Sequence, residues 1–433
     1  MDSSSAFELA RTDAIGQAAL AAAGEVTAVE LLDAAIIRVE ATRGLNSVIT
    51  DLFDRGRAQA AALDESGVLR GERSGPLAGV PFLLKDLGTA LAGTRESMGC
   101  RALRDHVASE TAWTVNRYLD AGTGTGSIRV PASCCRRRRP QAPTRPVLLR
   151  PGCRARTRGA GQQSRPDRTV RDCAALLDVV AGTVPGDPYS AAAAPVSFLD
   201  AAAQTPSAQR ILIATSSPFP TDRIDPEVVA VVEAAGRLLE GLGHHLTPGA
   251  PTVDADVVAD AVAVLHTVSN AQLHELARQH LGRAPREDEF EPSTWVMIRE
   301  GFTTTGLAYA NAIADVHAQT RRFAADMAGH DVLLVPTLLT GPPPYGLLNQ
   351  PRGTTRAFFD VEFATTGWTA LANITGWAAI SLPLGQTSGG LPIGVQLMAP
   401  DESVLLSLAG QLEQAAPWAA RTPPRWVGAT AAT

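Results

Sequence analysis

The chain has 433 residues, enough for one large α/β domain or two to three ordinary ones. Hydrophobic residues make up 45% and charged residues 19%, which supplies a sizeable core and excludes a disordered or coiled-coil protein. A net charge of −6 argues against nucleic acid or an anionic membrane as the main partner.

The opening Met1-Asp2-Ser3-Ser4-Ser5 lacks a basic region followed by an apolar run, so no secretory signal is read. Five irregularly spaced cysteines fit neither a disulfide framework nor a zinc module. A reducing, cytoplasmic setting is expected. Residues 7–24 are alanine-rich with helical spacing. Thr27-Ala28-Val29-Glu30 is a capping box, which predicts a helix to about Thr42. Gly79 to Asp86 reads as a short buried strand ending in charge, and Ser109 to Leu119 as a helix that Gly122 stops.

Residues 136–168 break the pattern, with 11 arginines against one acid, Asp167, and no periodicity. Such a segment repels itself and buries too little to offset its ordering entropy, so disorder is expected there. Thr169-Val170-Arg171-Asp172 then caps a helix from Cys173 to Val180. Arg210 to Ala214 is a predicted strand, Pro226 to Leu242 an amphipathic helix, and Asp331 to Val335 a strand ending at Pro336. Ile380 to Leu384 and Ile393 to Met398 flank Gln386-Thr387-Ser388-Gly389-Gly390 as a hairpin. The stretch from Phe363 to Pro400 carries no charge, but Asn373, Gly376, Pro383, Gly385, Gly389, Gly390 and Pro392 interrupt it. That favours buried strands joined by tight turns over a membrane span. These elements predict an α/β fold, a mixed β-sheet core surrounded by helices, in a single domain over 1–433 interrupted by the arginine-rich segment.

Several chemical motifs fall away on spacing. His274-Glu275 and His280 are six residues apart, about 240° around a helix, so the two imidazoles face different sides and no metal site is read. Gly122-Thr123-Gly124-Thr125-Gly126 follows a helix and lacks the Lys-Ser/Thr of a P-loop, which makes it a weak phosphate cradle. No G-x-S-x-G elbow occurs and no S-x-x-K precedes Lys85. The arginine-rich run, without interleaved aromatics, is a poor nucleic-acid arm.

What remains is Lys85 with Ser127. Of the 38 basic residues, Lys85 is the only lysine. Arginine cannot lose its proton near neutral pH, whereas a desolvated lysine can, so a lysine is retained where a neutral amine is needed. The competing reading is a lysine left over by chance. Ser127 closes Gly124-Thr125-Gly126-Ser127, whose small residues leave amides free to point one way, as an oxyanion hole needs. The competing reading there is an ordinary glycine turn.

Taken together, Pro76-Leu77-Ala78-Gly79-Val80-Pro81-Phe82-Leu83-Leu84-Lys85-Asp86, Gly126-Ser127-Ile128-Arg129-Val130-Pro131-Ala132-Ser133, Thr169-Val170-Arg171-Asp172, Ile380-Ser381-Leu382-Pro383-Leu384-Gly385 and Leu391-Pro392-Ile393-Gly394-Val395-Gln396 resemble the amidase signature family of serine hydrolases. The resemblance covers roughly residues 10–135 and 168–420. Ser293-Thr294-Trp295 adds a likeness to its bacterial 6-aminohexanoate-cyclic-dimer hydrolases. It implies hydrolysis of a linear or cyclic carboxamide through a seryl-acyl enzyme, without metal or cofactor. By motif Ser127 is the nucleophile, Lys85 the base and later the acid, and Gly124, Thr125 and Gly126 the oxyanion donors. A small-molecule amide is the expected partner and a homodimer an assembly open to it.

The chain also departs from the family. Several tens of residues that normally follow Asp120-Ala121-Gly122, including a Gly-Gly-Ser-Ser-Gly-Gly loop with the bridging serine, are missing. Thr123 stands where the family carries an aspartate. Thr125 or Ser133 could partly substitute for the bridging serine, though the sequence gives this no geometric support. After Cys134-Cys135 the family continues with Gly-Leu-Lys-Pro. Read one base early, a GC-rich codon string for Gly-Leu-Lys-Pro-Arg-Arg-Gly-Arg yields Arg139-Pro140-Gln141-Ala142-Pro143-Thr144-Arg145-Pro146. Residues 136–167 thus read as frame-shifted text, and impaired activity is expected. An inactive amidase-like scaffold and an amidotransferase A-like subunit are the alternative readings.

Overall fold

The structure is a computed structural model that describes residues 3–70, 75–122, 124–127, 139–141, 168–182, 196–221, 224–344, 346–348 and 350–421. The amino-terminal third holds α1 (Ser3–Leu9), α2 (Ala14–Ala23), α3 (Ala28–Ala41), α4 (Phe53–Ser66), β1 (Pro81–Leu84), α5 (Trp113–Asp120) and β2 (Gly124–Ser127). After β3 (Arg139–Gln141) follow α6 (Val170–Val180), α7 (Phe198–Ala203), β4 (Arg210–Ile213), α8 (Pro226–Gly241) and β5 (His245–Pro248). A helical run comes next, α9 (Ala255–Leu281), α10 (Pro292–Thr303) and α11 (Gly306–Asp326), then β6 (Val332–Pro336), α12 (Thr355–Thr366) and α13 (Trp368–Thr375). The hairpin β7 (Ala378–Gln386) and β8 (Pro392–Ala399) leads into α14 (Glu402–Ala415).

Six strands form one mixed sheet in the order β3-β7-β8-β6-β4-β5. β4 runs parallel to β5 and β6, while β8 is antiparallel to β6 and β7, and β3 antiparallel to β7. The alternation of side chains across the pleat sorts the apolar residues onto two faces. Ile211, Val332, Leu334, Ile380, Leu382, Val395 and Leu397 pack against α6, α7, α8 and α14. Leu212, Leu333, Val335, Ala379 and Met398 face the opposite layer, with Phe323, Phe359, Phe363 and Trp368. The expected mixed sheet with helices around it is thus what forms, with helices on both faces.

The capping box at Thr27 and Glu30 forms as expected, with both reciprocal bonds present. The hairpin forms too, its loop closed by Thr387 N–H donating to Leu391 O and Gly390 N–H to Thr387 O, each at 2.8 Å. Three expectations need correction. The helix over 7–24 is two helices, because Asp13 accepts from Gly16 N–H and so starts α2 afresh. The helix expected from Ser109 begins at Trp113, since residues 111 and 112 bond back to 92 and 90 instead. Only the second half of the charge-free stretch is strand; Phe363 to Thr375 is helical and packs its aromatics under the sheet. Among the described residues no helix is long and apolar enough to cross a membrane.

Thr169-Val170-Arg171-Asp172 ties the amino-terminal helices to the sheet layer by a reciprocal cap. Asp172 accepts from Ala14 and Ile15 N–H, both at 3.0 Å, at the start of α2. Asp13, the cap of α2, accepts from Thr169 Oγ1 and from both Nε and Nη2 of Arg171. Burial pushes the Asp13 carboxyl up, but the bonds from Arg171, Gly16 and Thr169 outweigh it and hold it below its usual range. Burial raises Asp172. Of residues 136–168, Arg139–Gln141 pair with β7 at Ser381, Ile380 and Ala379, and Arg168 bonds to Ala419 O. The remainder, and with it the frame-shift reading, lies outside the described residues.

Candidate active site

β1 and β2 form a separate two-stranded parallel sheet. Gly79, with φ 78°, donates to Gly122 O at 2.9 Å, and Gly122 itself has φ 76°. Both turns lie in the left-handed region that favours glycine, and together they bring the two chain segments alongside. The register pairs Pro81 with Gly124, Phe82 with Thr125, Leu83 with Gly126 and Leu84 with Ser127. Ser127 therefore ends β2 beside the last residue of β1, and Lys85 is the next residue along. The two carry the same strand direction, and neighbouring strands lie about 4.8 Å apart.

β1 is less buried than its sequence suggests. Leu84 is buried, Pro81 and Phe82 are half-buried, and Leu83 and Lys85 are exposed. Among the described residues this sheet has two strands, too few to cover both of its faces. The segment 124–127 is strand rather than a free glycine turn. In a parallel ladder only alternate amides of a strand point at a given neighbour.

The turn after β1 is held by charge. The Asp86 carboxylate accepts from Ser97 N–H at 2.7 Å, from Ser97 Oγ, and from Gly99 N–H at 3.1 Å. Glu96, 7% exposed, accepts from Gly88 N–H at 3.1 Å. Thr89 Oγ1 donates to Lys85 O. Sequence reasoning gave Asp86 no role beyond ending the strand, and passed over Glu96 and Thr89. A carboxylate directly after a candidate base, with a second acid ten residues on, was the signal to follow.

The amidase family's sequence profile matches residues 30–124 and 121–403. The chain belongs to the amidase family. It is a hydrolase of amide bonds. The 6-aminohexanoate-cyclic-dimer hydrolase of Paenarthrobacter ureafaciens is 30% identical over 492 residues, covering 95% of this chain and 96% of the relative. An amidase of Pseudomonas putida is 28% identical over 469 residues, with 93% and 95% covered. Among solved structures, a 6-aminohexanoate cyclic dimer hydrolase complexed with substrate superposes with a TM-score of 0.87 at 27% identity, over 97% of this chain and 99% of that one. A bacterial aryl acylamidase of the amidase signature family shares the fold at TM-score 0.81 and 20% identity.

Other residues of this amidase that attracted attention have structural surroundings. His274 packs against Phe290, Trp295 and Phe302, while His280 meets His106 edge-on at 5.1 Å, so the two imidazoles do face different neighbours. Glu275 pairs with Arg278. Ser293-Thr294-Trp295 lies in the first turn of α10, with Trp295 stacked on Phe290. Thr123 and Ser133 lie outside the described residues.

Proposed function

We propose that this amidase cleaves a small linear or cyclic carboxamide with Ser127 as nucleophile and Lys85 as its base. The observation that supports it is the register that sets Ser127 opposite Leu84, at the carboxyl end of β2 and next to Lys85. Ser127 Oγ attacks the amide carbonyl carbon and its proton passes to Lys85, which takes part in this step as the free amine. Backbone amides of Gly124, Thr125 and Gly126 that are not spent in the ladder receive the oxyanion. Collapse expels the amine, which takes the proton back from Lys85, and water then releases the acid from the seryl ester. A cyclic amide is favoured by the likeness to the 6-aminohexanoate-cyclic-dimer hydrolases. Among the described residues Cys100 and Cys173 are buried and outside any disulfide, which fits a reducing cytoplasm.

The chain is a weakened member. The family profile matches in two pieces that overlap at 121–124, and this is where we read the bridging serine loop as lost. The aligned stretch with the hydrolase relative, 492 residues, exceeds the 433 of this chain, so the relative carries residues without a counterpart here. Without a serine between them, Ser127 and Lys85 must exchange the proton directly, and removing one part of a catalytic unit can cost most of its rate. The same observation favours a second reading, an amidase-like scaffold that binds amides without turning them over. A fluorophosphonate probe separates the two. Labelling at Ser127, lost in Ser127→Ala and slowed in Lys85→Ala, supports the weakened enzyme; no labelling of the intact chain supports the scaffold.

A further inference from the structure

The segment that carries Lys85 is tied down by two carboxylates that cross between the same two pieces of chain. Asp86, in the turn leaving β1, grips the backbone of residues 97–99 through Ser97 N–H, Ser97 Oγ and Gly99 N–H. Glu96, from the opposite piece, grips Gly88 N–H. Thr89 closes the turn onto the Lys85 carbonyl. Charge-assisted bonds are the stronger kind, and here three from backbone amides and one from a hydroxyl fix the turn that follows Lys85.

The opposite piece is itself anchored. Residues 93–108 close on themselves through Gly93 N–H to Ala108 O, Ala108 N–H to Thr94 O and Glu96 N–H to His106 O. Behind them Ala102 and Leu103 are buried against Ala277, Phe290 and Ile298, and Arg101 donates to Asp288 O at 3.1 Å. Between the residues gripped by Asp86, Met98 has φ 52°, a left-handed conformation uncommon for a side chain of its size. Such a conformation persists where the surroundings over-determine it. The turn after β1 is therefore fixed to the α9–α10 layer rather than free to follow the two-stranded sheet.

We propose that Asp86, supported by Glu96, is the positioning residue of Lys85: it holds the lysine backbone so that the amine reaches Ser127. The proposal rests on the reading of Lys85 as base, and it adds a residue to that site. Asp86 touches neither substrate nor the reacting atoms; it acts through the 85–89 turn. A misplacement of about 1 Å at a reacting group can cost about 100-fold in rate.

Because Lys85 is the only lysine, lysine labelled with carbon-13 at the ε position gives one lysine signal from the intact chain. Its pH titration and line width are read in the unchanged protein, Asp86→Ala, Asp86→Asn and Ser97→Ala, beside the rate of Ser127 labelling by a fluorophosphonate. Asp86→Ala is expected to sharpen the Lys85 signal and slow labelling by about 10- to 100-fold. Asp86→Asn, which keeps one acceptor oxygen, and Ser97→Ala, which removes one bond, fall between and keep the test open if Asp86→Ala does not fold. An unaltered lysine signal and labelling rate in every folded variant overturns the proposal. If Lys85→Ala labels as fast as the unchanged chain, the reading of Lys85 as base fails instead, and the lysine signal in Asp86→Ala still decides the positioning role.

Discussion

Glu402 offers a test of the burial assigned to the carboxy-terminal helix. It is the first residue of α14, where Asp401 caps the helix by accepting from Ser403 N–H at 2.7 Å. Among the described residues Glu402 Oε1 is buried without a hydrogen-bond partner. Burial pushes its carboxyl from the usual 4.5 up to about 7; the bond to its own backbone amide opposes this and the neighbouring Asp401 adds to it. A folded-state value above the unfolded one means the native state binds the proton more tightly. Stability is then undiminished below about pH 4.5, falls as the pH rises toward 7, and stays reduced above. At about 1.4 kcal/mol per unit the full penalty is on the order of 3 kcal/mol. Glu402→Gln imitates the protonated form and removes that penalty. With an unfolding entropy of about 2 cal/mol/K per residue, the variant melts about 3 °C higher than the unchanged chain at pH 8. At pH 5 the two nearly coincide. Thermal melts of both proteins at the two pH values read this directly. An equal gap at both pH values, or no gap at pH 8, would falsify the burial of the Glu402 carboxyl.

Three further substitutions follow from packing. Asp172→Ala leaves the amides of Ala14 and Ile15 without their acceptor, at about 1–3 kcal/mol each for a buried group; hydrogen exchange should speed up in α2 before it does in the sheet. Gly394→Ala places a methyl 2.8 Å from Ser381 Oγ and 2.9 Å from Thr337 Oγ1, whose own bond is 2.6 Å, so denaturant unfolding should show a loss of about 1–3 kcal/mol. Arg356 joins Asp256, Asp260 and Asp360, but those carboxylates are 53% to 81% exposed. Arg356→Met should therefore cost less than about 1 kcal/mol, and the difference should vanish in about 1 M salt; a larger, salt-insensitive loss would show a desolvated network.

The local rules of sequence fixed much of this protein. Capping at Thr27 and Thr169, the strand at Arg210, the helix from Pro226 and the 386–390 hairpin are decided by residues within a turn of one another, and they form where composition and spacing put them. Lys85 and Ser127 stand out in the sequence, one as the only lysine, the other by its glycine-rich setting. Long-range contacts decided the rest. The break between α1 and α2 starts at the local cap of Asp13 on Gly16, but the carboxylate is held in place by Arg171, 158 positions away. Apolar runs such as Phe363 to Thr375 read as strand or helix alike until packing under a sheet selects one. The grip of Asp86 and Glu96 needs two segments folded against each other and against α9. The register of β1 on β2 is of the same kind: sequence supplied a lysine and a serine, and only the pairing of two parallel strands made them neighbours.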